Sequence, residues 1–270
     1  FLGYKTGYGN TTGDNNTFVG HQSGLNNTIG ADNTFIGTSS GLNTTTGSSN
    51  HFSGFNAGHL NTTGSGNTFS GFGAGFINTT GSNNTLIGMN ADVTTDNLTN
   101  AGAIGYNAKV SQSNSFVIGG TGADAVRVGI GVTTPIFTLQ VNGIVAGLGP
   151  YLNTSDSRLK KNILPIDNAL SGIMQLQPVS YDWKQEEYPQ YKFDDRRQIG
   201  FLAQELEKIF PEAVTKGADG YYTIAYSQLI PIVVQGMKEQ QAQASEMKEE
   251  IRQLKTAIEM LKKQIEANQQ

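Results

Sequence analysis

Glycine recurs at positions 13, 30, 47, 64 and 81, a step of 17 residues, and that period limits the possible folds more than any other feature of the chain. A second glycine set falls at 3, 20, 37, 54, 71, 88 and 105, and a third at 7, 24, 41, 58 and 75. Asparagine keeps the same step at 16, 33, 50, 67 and 84. Two residues beyond each of them stands a large apolar side chain: Phe18, Phe35, Phe52, Phe69 and Leu86. Ser23, Ser40, Ala57, Ala74 and Ala91 form a column of small residues. Low complexity alone would suit a disordered chain, but a strict period marks a repeat architecture. One unit reads roughly N-T-T-G-x-N-N-T-F-x-G-x-x-A-G-x-x. Its T-F-x run is too short for a helix and suits a three-residue strand. The glycines mark turns that need positive φ or close backbone approach. A single unit cannot bury its Phe, whereas stacking equivalent strands about 4.8 Å apart does so and aligns the Asn and Thr columns for hydrogen bonding. Residues 1–105 are therefore read as a parallel β-solenoid.

The rungs are short and poor in apolar residues. This predicts several chains wrapped about one axis, with the Phe column facing inward. The repeat style resembles the β-roll heads of trimeric adhesins and of phage fibres. Phe1, Leu2 and Gly3 stand in phase with Phe18, Val19 and Gly20, so the chain is expected to be a piece of a longer fibre. After Gly105 the step shortens, and the next I-G pair, Ile118-Gly119, comes 14 residues on. A β connector is assigned to 106–150. It contains V-R-V-G-I-G-V-T-T-P-I-F-T-L-Q-V-N-G at 126–143, alternating at a strand period and turning at Thr134-Pro135. This stretch is similar to the segment preceding the C-terminal domain of phage tail fibres and related bacterial surface proteins.

Composition separates two halves. Of 34 glycines, 29 lie before position 151, whereas only 8 of the Lys, Arg, Asp and Glu residues lie before position 155. The net charge of −4 gives no basic face, so no nucleic-acid partner is predicted. No run of 18 apolar residues occurs, so no membrane insertion by a helix is predicted. The absence of Cys removes disulfides and thiolate zinc sites. His21, His51 and His59 occupy different repeat columns and form no ligand ladder. Gly119–Asp124 matches half of a calcium-binding nonapeptide, but only once, where such sites need tandem turns. No metal and no cofactor is predicted. The N-x-T sequons, such as those at Asn10 and Asn61, follow from the repeat. The acids of the repeat half are Asp14, Asp32, Asp92, Asp96 and Asp124, and they identify no paired-carboxylate glycosidase site.

From about residue 151 the blocks are Y-L-N-T-S-D-S-R-L-K-K-N-I-L-P-I, P-V-S-Y-D-W (178–183), Q-I-G-F-L-A-Q-E-L-E-K-I-F-P-E-A-V (198–214) and Y-S-Q-L-I-P-I-V-V-Q-G-M-K-E-Q-Q (226–241). Together they resemble the intramolecular chaperone domain of the S74 peptidase family, found at the C-termini of phage tail fibres and tailspikes, including endosialidases. That family trims itself through an S-D-x-x-L-K motif, here Ser155, Asp156, Leu159 and Lys160. The resemblance implies that Ser155 Oγ attacks the carbonyl of Thr154 while Lys160 accepts its proton, cutting between Thr154 and Ser155. A serine hydroxyl is a poor nucleophile until a base takes its proton. A lysine serves only as the neutral amine, which burial or nearby positive charge favours. Five residues apart, the two do not stack as i,i+4 helix neighbours. Ser155 must precede a helical turn from which Lys160 folds back. Ser or Asp ahead of an apolar run is also an ordinary helix cap, and Asp156 remains a cap candidate.

The portion 151–226 reads as an α+β domain. A helix starting at Asp167 or Asn168 and ended by Pro178 is predicted, with strands at 179–183, 198–202 and 220–225 and a helix at 205–210. Trp183, Phe201, Leu202, Ile209 and Phe210 are expected in its core. The charged, aromatic stretch Lys184–Arg197 is either a solvated excursion or an arm that embraces neighbouring subunits or the fibre shaft. Residues 227–270 read as a trimerisation helix capped by Ser227, with Pro231 tolerated in the first turn. Its heptads place Met237, Ala244, Ile251, Ile258 and Ile265 at a, and Val233, Gln240, Met247, Leu254 and Leu261 at d. Glu250 and Lys255 are placed to pair between parallel chains. Ile at a with Leu at d favours a dimer, whereas the family resemblance implies a trimer.

The fold class expected is multidomain: a trimeric parallel β-solenoid, a β connector, an α+β chaperone domain and a C-terminal helical bundle or coiled coil. The function expected is that of a structural fibre of a phage tail or contractile-injection particle. It would reside in the virion tail fibre or an extracellular appendage, partner with two further copies of itself, and bind a host-cell surface receptor. Glycans suit its Asn/Thr surface. Residues 155–270 would fold first, in the cytoplasm of the producing cell, and template the solenoid. A slip by one 17-residue unit costs little contact energy, so the chain ends need fixing. Self-cleavage would then release the chaperone and trap the fibre kinetically, as a single-turnover serine endopeptidase with no other substrate. The alternatives are a bacterial surface adhesin and the non-catalytic end of a glycan-degrading tailspike.

Overall fold

The computed structural model describes residues 1–143, 145, 152–191 and 193–268. A three-residue apolar run between glycine turns becomes a strand only by pairing with its next copy, and the chain follows that rule. Strands β1 (Thr17–Val19), β2 (Thr34–Ile36), β3 (His51–Ser53), β4 (Thr68–Ser70) and β5 (Thr85–Ile87) are joined by β6 (Asp92–Val93), β7 (Gly102–Ile104), β8 (Lys109–Val110) and β9 (Phe116–Ile118). The main sheet runs β1-β2-β3-β4-β5-β7-β9, and β6 pairs with β8. Every pairing is parallel and in repeat register, as in Phe18↔Phe35, Phe35↔Phe52 and Phe52↔Phe69. The result is a parallel β-solenoid of about six turns.

The Phe column stacks with ring centroids 4.7–4.9 Å apart, close to the strand spacing of a β-sheet. Phe18, Phe35, Phe52 and Phe69 are fully buried within one chain. This corrects the expectation that several chains are needed to enclose them. Each rung covers its own ring, because the glycine six residues on lies directly against it. Gly41 has φ +57, and a Cβ there would sit 2.5 Å from the Phe35 ring, so only glycine lets the turn close.

Asn16, Asn33, Asn50 and Asn67 hold neighbouring rungs together as main-chain surrogates. Asn33 Oδ1 accepts from the backbone N–H of Asn50 at 2.9 Å, while its Nδ2 donates to the Gly47 carbonyl at 2.9 Å. The same pair of bonds recurs from Asn50 to Asn67 and Gly64. Buried amides are tolerated because both ends are satisfied. Thr11, Thr28, Thr45 and Thr62 each donate a hydroxyl hydrogen bond to the Thr carbonyl one rung on.

Toward the end of the ladder the core column shrinks from Phe69 to Leu86 and then Ala103. The residue six on grows in step, from Gly75 to Asp92 and Lys109. The volume lost is made up by Val93 and Val110, both fully buried, on the extra pair β6–β8. The last step, β7 to β9, uses the shorter 14-residue spacing (Gly102↔Phe116).

The chain divides into two compact units, Phe1–Val128 with Phe137–Leu139, and Gly129–Ile136 with Gln140–Gln270. Strands β10 (Val128–Ile130) and β11 (Leu139–Val141) form a two-stranded sheet in the connector. The boundary expected at 150/151 lies outside the described residues, as does Lys192.

In the second unit, α1 (Ala169–Ile173) is shorter than anticipated. Its first N–H groups are capped from a distance. Ala169 and Leu170 donate to the Glu239 carboxylate at 3.3 and 2.8 Å. Strands β12 (Val179–Tyr181) and β13 (Gln198–Gly200) pair antiparallel, inside the two stretches predicted. Helix α2 covers Ala203–Leu206 rather than 205–210. An unpredicted β14 (Val214–Lys216) pairs antiparallel with β15 (Tyr222–Ile224). The core consists of Leu206, Ala213 and Leu229, with Leu176, Phe201, Phe210, Val214, Ile224 and Ile232 against it. Trp183 and Leu202 are exposed rather than core. Trp183 instead stacks on Phe193 at 4.2 Å, and Phe193 on Tyr191 at 5.3 Å. These stacks give the 184–197 excursion an internal aromatic frame.

Helix α3 spans Tyr226–Asn268, 43 residues. Ser227 lies inside it and is not its N-cap. The helix opens one residue earlier, with Gln228 N–H bonded to the Ala225 carbonyl. Pro231 therefore falls in the second turn, where its missing N–H removes one helix bond. Gly236 lets α1 approach α3, since a Cβ there would meet Ile173 Cδ1 at 2.5 Å.

Candidate functional site

S-D-S-R-L-K folds as a single tight turn. Ser157–Leu159 form one turn of 3-10 helix, with Asp156 as N-cap in extended backbone and Lys160 as the residue that ends it. Asp156 accepts from the Arg158 N–H at 2.9 Å. Its carboxylate is also gripped by the Arg158 guanidinium, at 2.7 Å from Nη2 and 3.1 Å from Nε. That guanidinium, with the backbone N–H, holds the Asp156 carboxyl below the usual carboxylate range.

The turn reverses the chain between Ser155 and Lys160. Lys160 Nζ donates to Ser155 Oγ at 2.7 Å. Two residues five apart, which could not meet on a regular α-helix, are brought into hydrogen-bond contact because the intervening turn is a 3-10 turn entered and left in extended backbone. Ser155, Lys160, Thr154 and Leu159 all lie exposed in the single chain. A hydroxyl and an amine at this distance form a nucleophile–base pair whenever the amine is neutral, for the same contact then runs from Oγ–H to Nζ. Arg158 was not singled out from the sequence. The signal for it is an Asp and an Arg two apart across a cap, a spacing that lets the guanidinium fold back on the carboxylate.

Residues 155–215 match the Peptidase_S74 family, chaperone of endosialidase. The S74 match begins at Ser155 and covers the 3-10 turn, α1, the β12–β13 pair and α2. Two curated relatives are similar over about a third of the chain. The long tail fiber protein Gp37 of Enterobacteria phage M1 is 34% identical over 113 residues, which are 38% of this chain and 39% of that protein. An uncharacterized membrane protein of Dictyostelium discoideum is 34% identical over 102 residues, 33% of this chain and 6% of that protein. The chain thus spans well under half the length of both relatives. Among the described residues, no helix is long and apolar enough to cross a membrane.

Proposed function

We propose that this chain is a segment of a phage tail fibre, in which a structural, receptor-binding solenoid is assembled by a C-terminal intramolecular chaperone. The observation that carries the reading is the order of parts. A register-degenerate solenoid is followed, after a β connector, by a segment matching the endosialidase chaperone, and a phage tail fibre protein is among its relatives. The chaperone is read as an α+β domain that forms a homotrimer through α3. Support comes from the apolar heptad stripe, in which Ile251, Leu254, Ile258, Leu261 and Ile265 are 46–63% exposed in one chain. Leu159, Ile163 and Leu164 add exposed apolar surface beside the dyad, and burying such surface drives association.

Self-cleavage follows the Ser155–Lys160 contact. Oγ of Ser155 adds to the Thr154 carbonyl carbon as Lys160 takes the hydroxyl proton. The C–N bond breaks, and that proton passes to the Ser155 nitrogen, giving an ester and a free amine. Water then hydrolyses the ester to release the Thr154 carboxylate and restore the hydroxyl. The chaperone would act in the cytoplasm of the producing cell, and the fibre would go to the virion tail.

Intact-mass measurement after prolonged incubation of the assembled protein is expected to give two products, 1–154 and 155–270. Ser155→Ala and Lys160→Met are each expected to leave one uncut mass. An uncut wild-type mass would refute the protease reading. Sedimentation equilibrium is expected to give a trimer, and a dimer would refute the assembly. Soluble, folded trimers from residues 1–154 expressed alone would refute the chaperone role.

A further inference from the structure

One turn column of the solenoid lacks a side chain at a single residue. Gln22, Ser39, Asn56, Gly73, Asn90 and Asn107 occupy equivalent turn positions, all with φ between +51 and +61. Asn90 Nδ2 bonds along the column to Asn107 Oδ1 at 3.2 Å. Gly73 has no side chain to continue this. The Asn90 Oδ1 faces the gap, 3.0 Å from where a Gly73 Cβ would stand.

The gap opens into a cavity of about 340 Å³ walled by Phe72 and Phe76 and also lined by Asn56, Asp92 and Lys109. Phe72 is 52% exposed and Phe76 36%. Phe72 stacks on Phe55 at 5.1 Å and Phe76 on His59 at 5.3 Å, so both rings are held by the repeat and present fixed surfaces. Asp92 is buried and anchored by the Ile77 N–H, and Lys109 Nζ lies 3.9 Å from its carboxylate. These opposite charges cancel locally.

We infer that the gap at Gly73 is a binding site for one neutral sugar residue of a surface glycan, its apolar face against Phe72 and Phe76 and its hydroxyls on the Asn56 and Asn90 amides. The inference rests on the adhesive reading of the solenoid and gives it a location. A volume at the small end of ligand pockets suits one ring. Rigid aromatic walls with a few fixed amides match the mixed apolar and hydroxylated surface of a pyranose. The paired charges favour a neutral hexose or N-acetylhexosamine over a uronic or sialic acid.

The test uses the full chain and a panel of neutral hexose, N-acetylhexosamine and uronic acid oligosaccharides. The wild type is expected to bind neutral members. Phe72→Ala and Gly73→Asn are each expected to weaken that binding more than tenfold. Gly73→Asn is the folding control: asparagine already occupies this turn at Asn56 and Asn90, so its melting curve should match or exceed that of the wild type. Absence of saccharide binding by the wild type, or undiminished binding by both variants, would overturn the site. Binding to a panel of intact bacteria is scored in parallel. Cells bound without any saccharide overturns the site and spares the adhesive reading. Saccharide bound without cells supports the site and overturns the adhesive reading.

Discussion

Thr44 occupies the position that Asn10, Asn27, Asn61 and Asn78 hold in other rungs. Where asparagines are neighbours, the Nδ2 of one donates to the Oδ1 of the previous, as from Asn27 to Asn10 at 2.7 Å and from Asn78 to Asn61 at 3.1 Å. Beside Thr44 the chain of bonds lapses: Asn61 reaches the Thr44 hydroxyl only at 3.4 Å, and the buried Asn27 Oδ1 has no partner among the described residues. Thr44→Asn should complete the column and raise stability by about 1 kcal/mol, read as a shift of the denaturant midpoint; a fall in stability would refute the account. Asp92 offers a second test at this scale. Burial pushes its carboxyl up to about 6, against hydrogen bonds from Ile77 and Val93 and the Lys109 charge. The folded state therefore holds this proton more tightly than the unfolded chain does. Stability from this group is full below the ordinary value of 3.8 and is lost as pH rises through about 6, a change on the order of 3 kcal/mol. Asp92→Asn should flatten the stability profile between those values. An identical profile in the variant would rule Asp92 out as its source. Asp96 works in a separate, more acidic window. Burial raises its carboxyl, but hydrogen bonds from Thr79 and Thr80 outweigh that and bring it to about 2. Its contribution is therefore present above 3.8 and lost as pH falls towards 2.

At the scale of the element, a rung is a strand of three residues made possible by the turn that follows it. The backbone passes so close under the aromatic ring that any Cβ at Gly24, Gly41, Gly58 or Gly75 would overlap it. Gly41→Ala would combine positive-φ strain with overpacking, at a cost of roughly 2–4 kcal/mol. Chemical denaturation monitored at the ring column checks this, and a loss below about 0.5 kcal/mol would show that the rung can open. Helix α3 poses the opposite situation. Its first turns pack on Leu206 and Ala213 through Leu229 and Ile232, and Glu239 caps α1. From Met247 onward the heptad residues Met247, Ile251, Leu254, Ile258, Leu261 and Ile265 stand exposed. A single helix of this length gains little from propensity alone and needs a packed face.

At the scale of the whole molecule, the solenoid has many near-equivalent registers, and the charged half has one. Pairing Phe35 with Phe69 in place of Phe52 would preserve almost every column contact, so repeat geometry alone does not select the native alignment. The proposed trimerisation through α3 would supply the missing reference. Ile251→Lys combined with Ile258→Lys should convert the proposed trimer to monomer in sedimentation and lower the yield of soluble solenoid. Glu259→Ala, on the outer face of the same helix, should leave both unchanged. Trimers surviving the double substitution would remove α3 from the assembly.

The 17-residue period by itself determined the solenoid. Strand positions, the Phe column, the Asn column and the glycine turns are all local repeats of one another, and stacking identical units aligns them. Sequence likewise marked Ser155 and Lys160 through a short motif. Tertiary structure decided what depends on contacts between non-equivalent residues. It closed the Phe core within one chain, because Gly41 and its equivalents let each rung fold onto its own ring. It filled the space left by Leu86 and Ala103 with Val93 and Val110 at the ladder's end, a compensation across columns that no single column reveals. It drew Lys160 back to Ser155 through a 3-10 turn clamped by Arg158, and it left Trp183 outside the core that Leu206 and Leu229 fill. A strict repeat carries its packing partners at fixed distance along the chain. An irregular domain finds them only in space.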